Sequence, residues 1–594
     1  MESDRRGTSD FRLSALKKTG YIGALLRLFG PLGDRILSLK KMDKIYRNYG
    51  LAGMDKVSFV ERVLKILGVH FSFDPKELDR IPKTGRVIVT SNHPFGGIEG
   101  LILASILCRV RPDIRILANL ALRFIAETRD FFIFTNPLKR YNPKNISSIR
   151  ACSEWLKNEG LLVLFPAGKV AYYHKGLKRI TDGRWNGIAA RLANLTKSPV
   201  VPVHTSGRNS ALFYLLGRIF YRFRLLMLPR EVLNSGRKKI SIHIGRPISY
   251  NHLRQVKGIR AQTEYMRMRT YLLSPEQAKA GLSAAGTNPM LPVMPPVDPA
   301  LIEAELAALP LEQRLVDNHE YSVYYGYYGQ IEHTVREIGR LRETTYRDLD
   351  EGSGKPSDTD DFDKTYTHLF IWDRNHQKIV GAYRMGQIDQ ILERSGRIGL
   401  RLSELFHFSD EFLASVHPGL EMGRSFIRRE YQRSHTGLAL LWKGIGEFLC
   451  RHPWYHTLYG TVSIATTYLP VSIALMDKVL VGDRHTVKTK SPLRTSLPWE
   501  VENFIDTWGI SHGELSVLVR ALEPDGADIP ILVKQYLKIG ARFHSMALDM
   551  GFGMTPGALL TVDARKTPLK YGKMYMGESF TAYLKQHSPA EISA

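Results

Sequence analysis

The chain has 594 residues, 44% of them hydrophobic and 24% charged, so it is too long for one ordinary core and normal in composition for folded domains. Its net charge of +25 is unevenly spread: residues 1–280 hold 50 Lys+Arg and 20 Asp+Glu, a net of +30, while residues 281–594 hold 33 and 38, a net of −5. No run of about 18 apolar residues is present, which argues against a spanning helix, and the polar, acidic start Met1-Glu2-Ser3-Asp4 does not read as a secretory signal.

Along residues 14–47, Leu26, Leu28, Ile36 and Leu37 alternate with Lys17, Lys18, Arg27, Arg35, Lys40 and Lys41. This pattern predicts basic amphipathic helices over 1–74 that lie on an anionic lipid surface. Strands are expected at 86–90, 114–117, 161–165, 200–204 and 239–244, with helices between them, as at 146–158 and 187–196. Strands alternating with helices predict an α/β domain with a largely parallel sheet over 75–282. Within it, 211–229 carries Arg218, Arg222 and Arg224 beside Phe213, Leu215, Phe220, Leu225 and Met227, a second candidate interfacial helix. The proline-rich stretch 283–299 reads as a linker. A second domain over 300–594 mixes strands (368–373, 378–385, 420–427, 457–463) with helices (439–451, 529–540), an α+β pattern. Its polar stretch 351–363 reads as a flexible acidic loop. Cys108, Cys152 and Cys450 are far apart, make no metal spacing and suit a reducing compartment.

The candidate chemistry of the first half starts where the strand at 86–90 ends, in Ser91-Asn92-His93-Pro94-Phe95-Gly96-Gly97-Ile98-Glu99. A histidine and a carboxylate six positions apart across a glycine turn can act as a base and the acid that orients it. Leu164-Phe165-Pro166-Ala167-Gly168-Lys169 follows another strand and could set turn amides and a cation against a phosphate or oxyanion. Val201-Pro202-Val203-His204 ends a further strand, and Arg123 lies in a basic segment.

The order NHPFGGIEG, FPAGK, VPVHTSGRNS resembles the lysophospholipid acyltransferase family, whose blocks are N-H-x-x-x-x-D, an arginine-bearing block, F-P-E-G and V-P-V. The chain departs from that pattern in the acid, which is Glu99 and one residue further on, and in Ala167, which replaces the turn's Glu. The resemblance implies a glycerolipid-acyltransferase-like αβ domain in which Asn92-His93 is the catalytic dipeptide and Glu99 holds the imidazole. Phe165, Pro166, Gly168, Lys169 and Arg123 would then bind the phosphate or the acyl carrier. The nucleophile would be a substrate hydroxyl, and no metal ligand set is present or needed. Within the family, this chain looks like the branch that acylates hydroxylated amino-acid lipids.

In the second half, Arg342 and Tyr346 are followed by Asp358, Asp360, Phe362 and Asp363, then by Gly381 and Arg384, then by Glu421 and Arg424. A basic, glycine-containing loop, 428–437, then precedes a helix, an arrangement suited to a pyrophosphate or phosphopantetheine arm. This order resembles GNAT-type N-acyltransferases that use acyl carrier protein, and the acyl-homoserine-lactone synthases with R-x-x-x-[FY], [DE]-x-D-x-[FY]-D, G-x-x-R and E-x-x-R. It looks closest to enzymes that join a 3-hydroxyacyl group to ornithine. The resemblance implies a GNAT-like α+β domain with Glu421 as the base for the attacking amine. Asp358, Asp360 and Asp363 would hold the cationic amino acid. Arg342, Arg384, Arg424, Arg428 and Arg433 would line the substrate and carrier sites.

Together the two halves imply a bifunctional acyltransferase making ornithine-type lipids. The second half would N-acylate ornithine from 3-hydroxyacyl carrier protein, and the first would O-acylate the 3-hydroxyl of the lyso-lipid. Acyl carrier protein enters as co-substrate, no cofactor is permanently bound, and no nucleic acid is expected. The protein would sit on the inner face of the cytoplasmic membrane. Two alternatives remain open. One is a phospholipid-remodelling O-acyltransferase fused to an N-acyltransferase for another amine, such as glutamine, glycine, lysine or a protein. The other is a non-enzymatic basic scaffold, with Phe220-Tyr221-Arg222-Phe223-Arg224 stacking on bases.

Overall fold

The computed structural model describes residues 38–119, 126–135, 143–275, 290–349, 351–432, 436–482 and 485–587. The chain forms two compact units. One comprises residues up to Gln277 together with Leu497–Gly509; the other comprises Ala278–Ser496 and the residues from Ile510 onward.

The strands of the first unit are β1 (Phe71–Ser72), β2 (Val87–Ser91), β3 (Ile114–Asn119), β4 (Phe132–Thr135), β5 (Leu161–Leu164), β6 (Tyr172–His174), β7 (Arg179–Thr181), β8 (Val200–Thr205) and β9 (Ile240–Ile244). Seven of them form one sheet in the order β1-β9-β8-β2-β5-β3-β4, and β6 and β7 form a separate hairpin. The run β8-β2-β5-β3-β4 is parallel, whereas β9 is antiparallel to β8. Every residue of β2 is buried, which explains the apolar run Val87-Ile88-Val89: a strand covered on both faces has no solvent side to alternate with. Val87 and Val89 enter a core that also holds Phe59, Val60 and Leu64 of the helix Lys56–Ile66 and Ile102, Leu103 and Ile106 of the helix Ile98–Leu107. Burying each such side chain contributes roughly 1.5–3 kcal/mol.

Three expectations need correction. The described part of the basic N-terminal region is not a free membrane surface, because Tyr46, Leu51 and the helix Lys56–Ile66 lie in the core of the unit; residues 1–37 lie outside the described residues. The linker placed at 283–299 is, from residue 290, held against the second unit. There Leu291 and Met294 donate their amides to the Gly354 and Pro356 carbonyls, and Val297 packs into the local core. Finally, one boundary near residue 283 does not divide the chain, since Leu497–Gly509 belongs to the first unit.

The second unit carries β10 (Arg314–Asp317), β11 (Tyr321–Tyr327), β12 (Thr367–Asp373), β13 (Lys378–Gln387), β14 (Phe406–Phe408), β15 (Gly419–Ile427), β16 (Thr457–Ser463), β17 (Val487–Thr489), β18 (Arg542–Asp549) and β19 (Thr555–Asp563). Eight of these form a sheet in the order β10-β11-β12-β13-β15-β16-β19-β18. Only β15 and β16 pair in parallel within it. The helix Glu332–Arg347 packs Val335, Ile338 and Leu341 against Phe370 and Trp372 of β12. The helix Thr436–Arg451 covers the other face. Its Gly444 lies so close to Val323 and Leu369 that a Cβ there would come within 2.6 Å of Val323 Cγ1.

Candidate active sites

In the first unit, β2 delivers the chain into the 92–97 turn, which leads into the helix Ile98–Leu107. Glu99 lies in that helix's first turn and is fully buried. Its Oε1 accepts the amides of Phe95 (3.0 Å) and Gly96 (2.8 Å), and its Oε2 accepts that of Gly97 (2.9 Å). The carboxylate therefore gathers the amides of the turn that leads into the helix, the N-cap Gly97 included. The same Oε1 lies 2.9 Å from His93 Nδ1, in a contact that does not follow a straight N–H···O line. Burial alone would lower the His93 pKa, but the Glu99 carboxylate overrides it and raises the value above 6.5. Burial alone would raise Glu99, but His93 and the turn amides hold it below its usual range. With Nδ1 turned to Glu99, Nε2 is the atom left for a substrate hydroxyl. Gly96 has φ +92°, and a Cβ there would meet Val170 at 2.5 Å, so the turn requires glycine.

The structure reassigns Asn92. Its Nδ2 donates to the Thr205 carbonyl (2.8 Å) and its Oδ1 accepts the Thr205 amide (2.7 Å). With both amide atoms used, Asn92 extends the β2–β8 ladder as a side-chain strand and holds the turn rather than substrate. Phe165 tilts against the His93 ring at 4.7 Å between centroids. The Pro166 carbonyl accepts the Asn186 amide (2.9 Å), and Gly168, at φ +62°, closes the turn. Exposed Lys169 lines a cavity of about 340 Å³ with Tyr172, Tyr173, Arg218 and Arg224. A further cavity of about 630 Å³ is lined by Arg208, Asn209, Leu215 and Arg218. Arg123 lies outside the described residues.

Two supporting residues escaped sequence reading. Asp182 accepts the His93 amide (3.1 Å to Oδ1) and the Trp185 indole N–H (3.0 Å), and burial pushes its carboxyl up to about 6. Asn209 donates toward the carbonyls of Pro94 (3.3 Å) and Phe95 (3.2 Å) and accepts from Lys238 (2.8 Å). Both lie about ninety or more residues from the turn, where no local pattern marks them.

In the second unit the structure brings the predicted arginines and aspartates together, but against one another. Arg342, almost wholly buried, donates to both Asp363 oxygens (3.0 and 2.8 Å) and to the Asp358 carbonyl. Arg384 pairs with Asp360 and with Asp363 (3.2 Å). Arg424 Nε lies 3.2 Å from Asp358 Oδ2. Burial would raise the Asp363 carboxyl, yet Arg342 and Arg384 hold it well below the carboxylate range. The aspartates expected to hold a cationic amino acid thus face arginines, and Arg342 and Arg384 are committed to them, whereas Arg424, 3.2 Å from Asp358, also lines the neighbouring cavity. Nor is the loop around them loose: Glu343 accepts the amides of Ser353 (3.0 Å) and Gly354 (2.9 Å). Arg428 pairs with Glu430 at 2.9 Å. Arg433 lies outside the described residues.

Glu421 also differs from expectation. It is buried, accepting Tyr366 (2.9 Å) and the Leu402 amide (3.1 Å) on Oε1 and Tyr459 (2.7 Å) on Oε2. Burial raises its carboxyl pKa. It does not line the neighbouring cavity, whereas Tyr459 does.

That cavity, about 540 Å³, opens where β15 and β16 part. The two strands pair only from Gly419↔Thr457 to Met422↔Gly460, although they run on to Ile427 and Ser463. The β13–β15 register shifts between Ala382 and Arg384, and Arg424 has φ +52°, a bulge that bends β15 away. The diverging edges leave backbone donors and acceptors facing a space whose walls include Leu441, Trp442, Ile445 and Phe552. An extended chain carrying amides and ending in an acyl group suits such a slot, and the volume lies in the range of ordinary ligand sites. Glu351, read from sequence only as part of a loop, also lines this cavity. It is 6% exposed, and burial raises its pKa against a hydrogen bond from Ser463.

A base-bearing turn at the end of a mostly parallel sheet and a slot between splayed strands of a mostly antiparallel one define two acyl-transfer domains. The comparisons agree. Residues 34–281 match the acyltransferase family and residues 341–443 the acetyltransferase (GNAT) domain. The chain is 27% identical over 281 residues to the glycine N(alpha)-acyltransferase of Phocaeicola vulgatus, covering 44% of this chain and 85% of that protein. It is 25% identical over 224 residues to the lyso-glycine lipid O-acyltransferase of the same organism (36% and 78%). It is also 27% identical over 244 residues to the L-ornithine N(alpha)-acyltransferase of Agrobacterium fabrum (39% and 75%). The chain is a bifunctional acyltransferase, an acyltransferase domain followed by a GNAT domain.

Proposed function

We propose that this protein makes an amino-acid lipid in two steps. The second unit transfers a 3-hydroxyacyl group from acyl carrier protein to the α-amine of an amino acid, and the first unit esterifies the 3-hydroxyl of the product with a second acyl chain. The observation that carries this reading is the coexistence of the His93–Glu99 pair with the splayed-strand cavity in one chain. In the first step the neutral amine attacks the thioester carbonyl. A C–N bond forms, the C–S bond breaks, and the amine's surplus proton passes to Glu351, directly or through water. In the second step His93 Nε2 takes the hydroxyl proton as oxygen attacks the carbonyl, then returns it to the departing thiolate. Glu99 keeps the ring oriented and offsets its transient charge.

The product of the first step is an amphiphile, and the first unit is suited to a lipid surface. Leu212, Leu215, Ile219, Phe220, Phe223 and Leu226 are all exposed on the helices Ala211–Ile219 and Tyr221–Leu233, beside Arg218 and its cavities. Among the described residues no helix is long and apolar enough to cross a membrane. We place the protein on the cytoplasmic leaflet through this face. Ile219→Glu with Phe223→Glu is expected to weaken cosedimentation with anionic vesicles about 10-fold or more, given roughly 1.5–3 kcal/mol per buried side chain; unchanged binding would remove this face from the membrane.

Ornithine is the head group we propose, in line with the ornithine N-acyltransferase among the relatives. Glycine is the second reading, favoured by the glycine enzyme and by the arginine-paired aspartates. Mass spectrometry of lipids from a bacterial host without amino lipids decides between them. A new two-chain lipid releasing ornithine supports the first reading, and one releasing glycine replaces it. Altered phospholipids with no amino lipid would overturn both and favour phospholipid remodelling.

A further inference from the structure

The helix Trp499–Trp508 lies far along the chain, past most of the GNAT-side strands, yet it packs in the first unit against the helix Ile259–Tyr271. Val501 is fully buried there, and Phe504 meets Tyr265 at 5.9 Å between ring centroids. Its Glu500 is buried beside Arg267, with Oε1 3.6 Å from Nη2. Arg267 also donates to the Asp182 carbonyl (3.2 Å), and its guanidinium lies near the Tyr271 and Trp499 rings at 5.7 and 5.8 Å. Its other carboxylate neighbour, Glu264, is 3.7 Å away.

Glu500 Oε1 is also bonded to Thr181 Oγ1, which lies 3.0 Å from the Tyr271 hydroxyl. A hydroxyl carries one proton and a carboxylate only accepts. Thr181 Oγ1 is the donor toward both Glu500 and Tyr271, and its single proton serves one of them at a time. The Tyr271 oxygen in turn accepts the Asp182 amide at 3.2 Å. Asp182 is the residue whose carboxylate receives the His93 amide. Glu500 thus ends a buried run of polar contacts, Glu500–Thr181–Tyr271–Asp182–His93, and balances the arginine that fixes the Asp182 carbonyl.

We infer that Glu500 is a positioning residue for acyl transfer at His93, supplied by a segment encoded within the GNAT half. It touches no reacting atom and acts by fixing Asp182, hence the main chain that carries the base. The inference rests on the reading of His93 as the base for O-acylation. A small displacement of a base costs turnover more than binding. In the full-length enzyme, Glu500→Ala is expected to lower kcat for acylation of a synthetic N-(3-hydroxyacyl) amino acid by roughly 10- to 100-fold. The KM for that acceptor should stay within about twofold and N-acylation should be unchanged, as expected for a lost transition-state interaction. Glu500→Gln, whose amide oxygen still accepts from Thr181, should recover most of the rate, and Asp506→Asn on the exposed side of the helix should behave as the parent. Should the alanine variant not fold, the glutamine variant is compared with Glu500→Leu, which keeps bulk and removes the acceptor. Native kcat in the folded variant lacking the acceptor overturns the inference, as does a fall in KM-dependent terms alone. If instead His93→Ala retains O-acylation, the reading of the site has failed, which is a separate result from a silent Glu500 variant with a dead His93 variant.

Discussion

The two acyl-transfer sites use charge in opposite ways. At the first, His93 and Glu99 are six residues apart, held by one turn and one helix start, and their interaction shifts both groups toward the charged state while His93 stays partly accessible. At the second, Arg342, Arg384 and Arg424 are paired with Asp358, Asp360 and Asp363 in a largely buried cluster beside the cavity. The first arrangement sets a partly accessible imidazole against a buried carboxylate; the second ties the loop 358–363 to the bulged strand β15. Charged residues of two motifs therefore end in different surroundings in the two halves.

That contrast can be broken by substitution. His93→Ala is expected to lower O-acylation by about 10²- to 10⁴-fold while N-acylation persists, so the one-chain lipid accumulates; product ratios by mass spectrometry check it, and an unchanged two-chain fraction would remove His93 from the chemistry. Arg342→Met should act on stability, costing about 3–5 kcal/mol because it removes the bidentate partner of buried Asp363; denaturant unfolding measures this, and a loss of ornithine affinity at native stability would restore a substrate-binding role. Glu351→Gln should reduce N-acylation roughly 10- to 100-fold at neutral pH with O-acylation intact, within the range for a positioned base; a variant at native rate would return the question to Glu421.

The smallest expected effect concerns pH. Because the His93 pKa is raised, its neutral, proton-accepting form appears only above 6.5, and O-acylation should rise through that raised value. In Glu99→Gln burial acts without the opposing Glu99 carboxylate, so the limb should move to lower pH. The stability linkage has two edges. His93 contributes fully below its unfolded pKa and loses that contribution as pH rises through its folded one, while depressed Glu99 contributes above its usual 4.5 and loses it as pH falls. A rate profile unmoved by Glu99→Gln would show that the pair is not coupled.

Much of the first site was legible because its parts are neighbours in sequence. A buried strand that opens on an apolar run, a glycine turn and a carboxylate at the following helix start form one local unit, and local geometry alone puts Glu99 beside His93. The acidic and basic motifs of the second half were equally visible, but their partners were not. Asp363 meets Arg342 across 21 residues and Glu421 meets Tyr459 across 38, and sequence spacing carries no information on which long-range pairs close. The cavity itself arises from a ladder that stops at Met422↔Gly460, a property of sheet twist and one bulge rather than of any residue type.

What this chain's sequence determined by itself was the pair of acyl-transfer domains, the local His93–Glu99 turn and the basic character of the first half, since periodicity, turn chemistry and charge are properties of neighbouring residues. Tertiary structure alone decided that Asn92 is a strut, that Glu421 lies behind tyrosines while Glu351 lines the slot, and that the helix Trp499–Trp508 closes over the first unit. Burial and hydrogen-bond satisfaction are settled by which distant segments meet, and those meetings determine whether a polar side chain is consumed by the fold or left for a substrate.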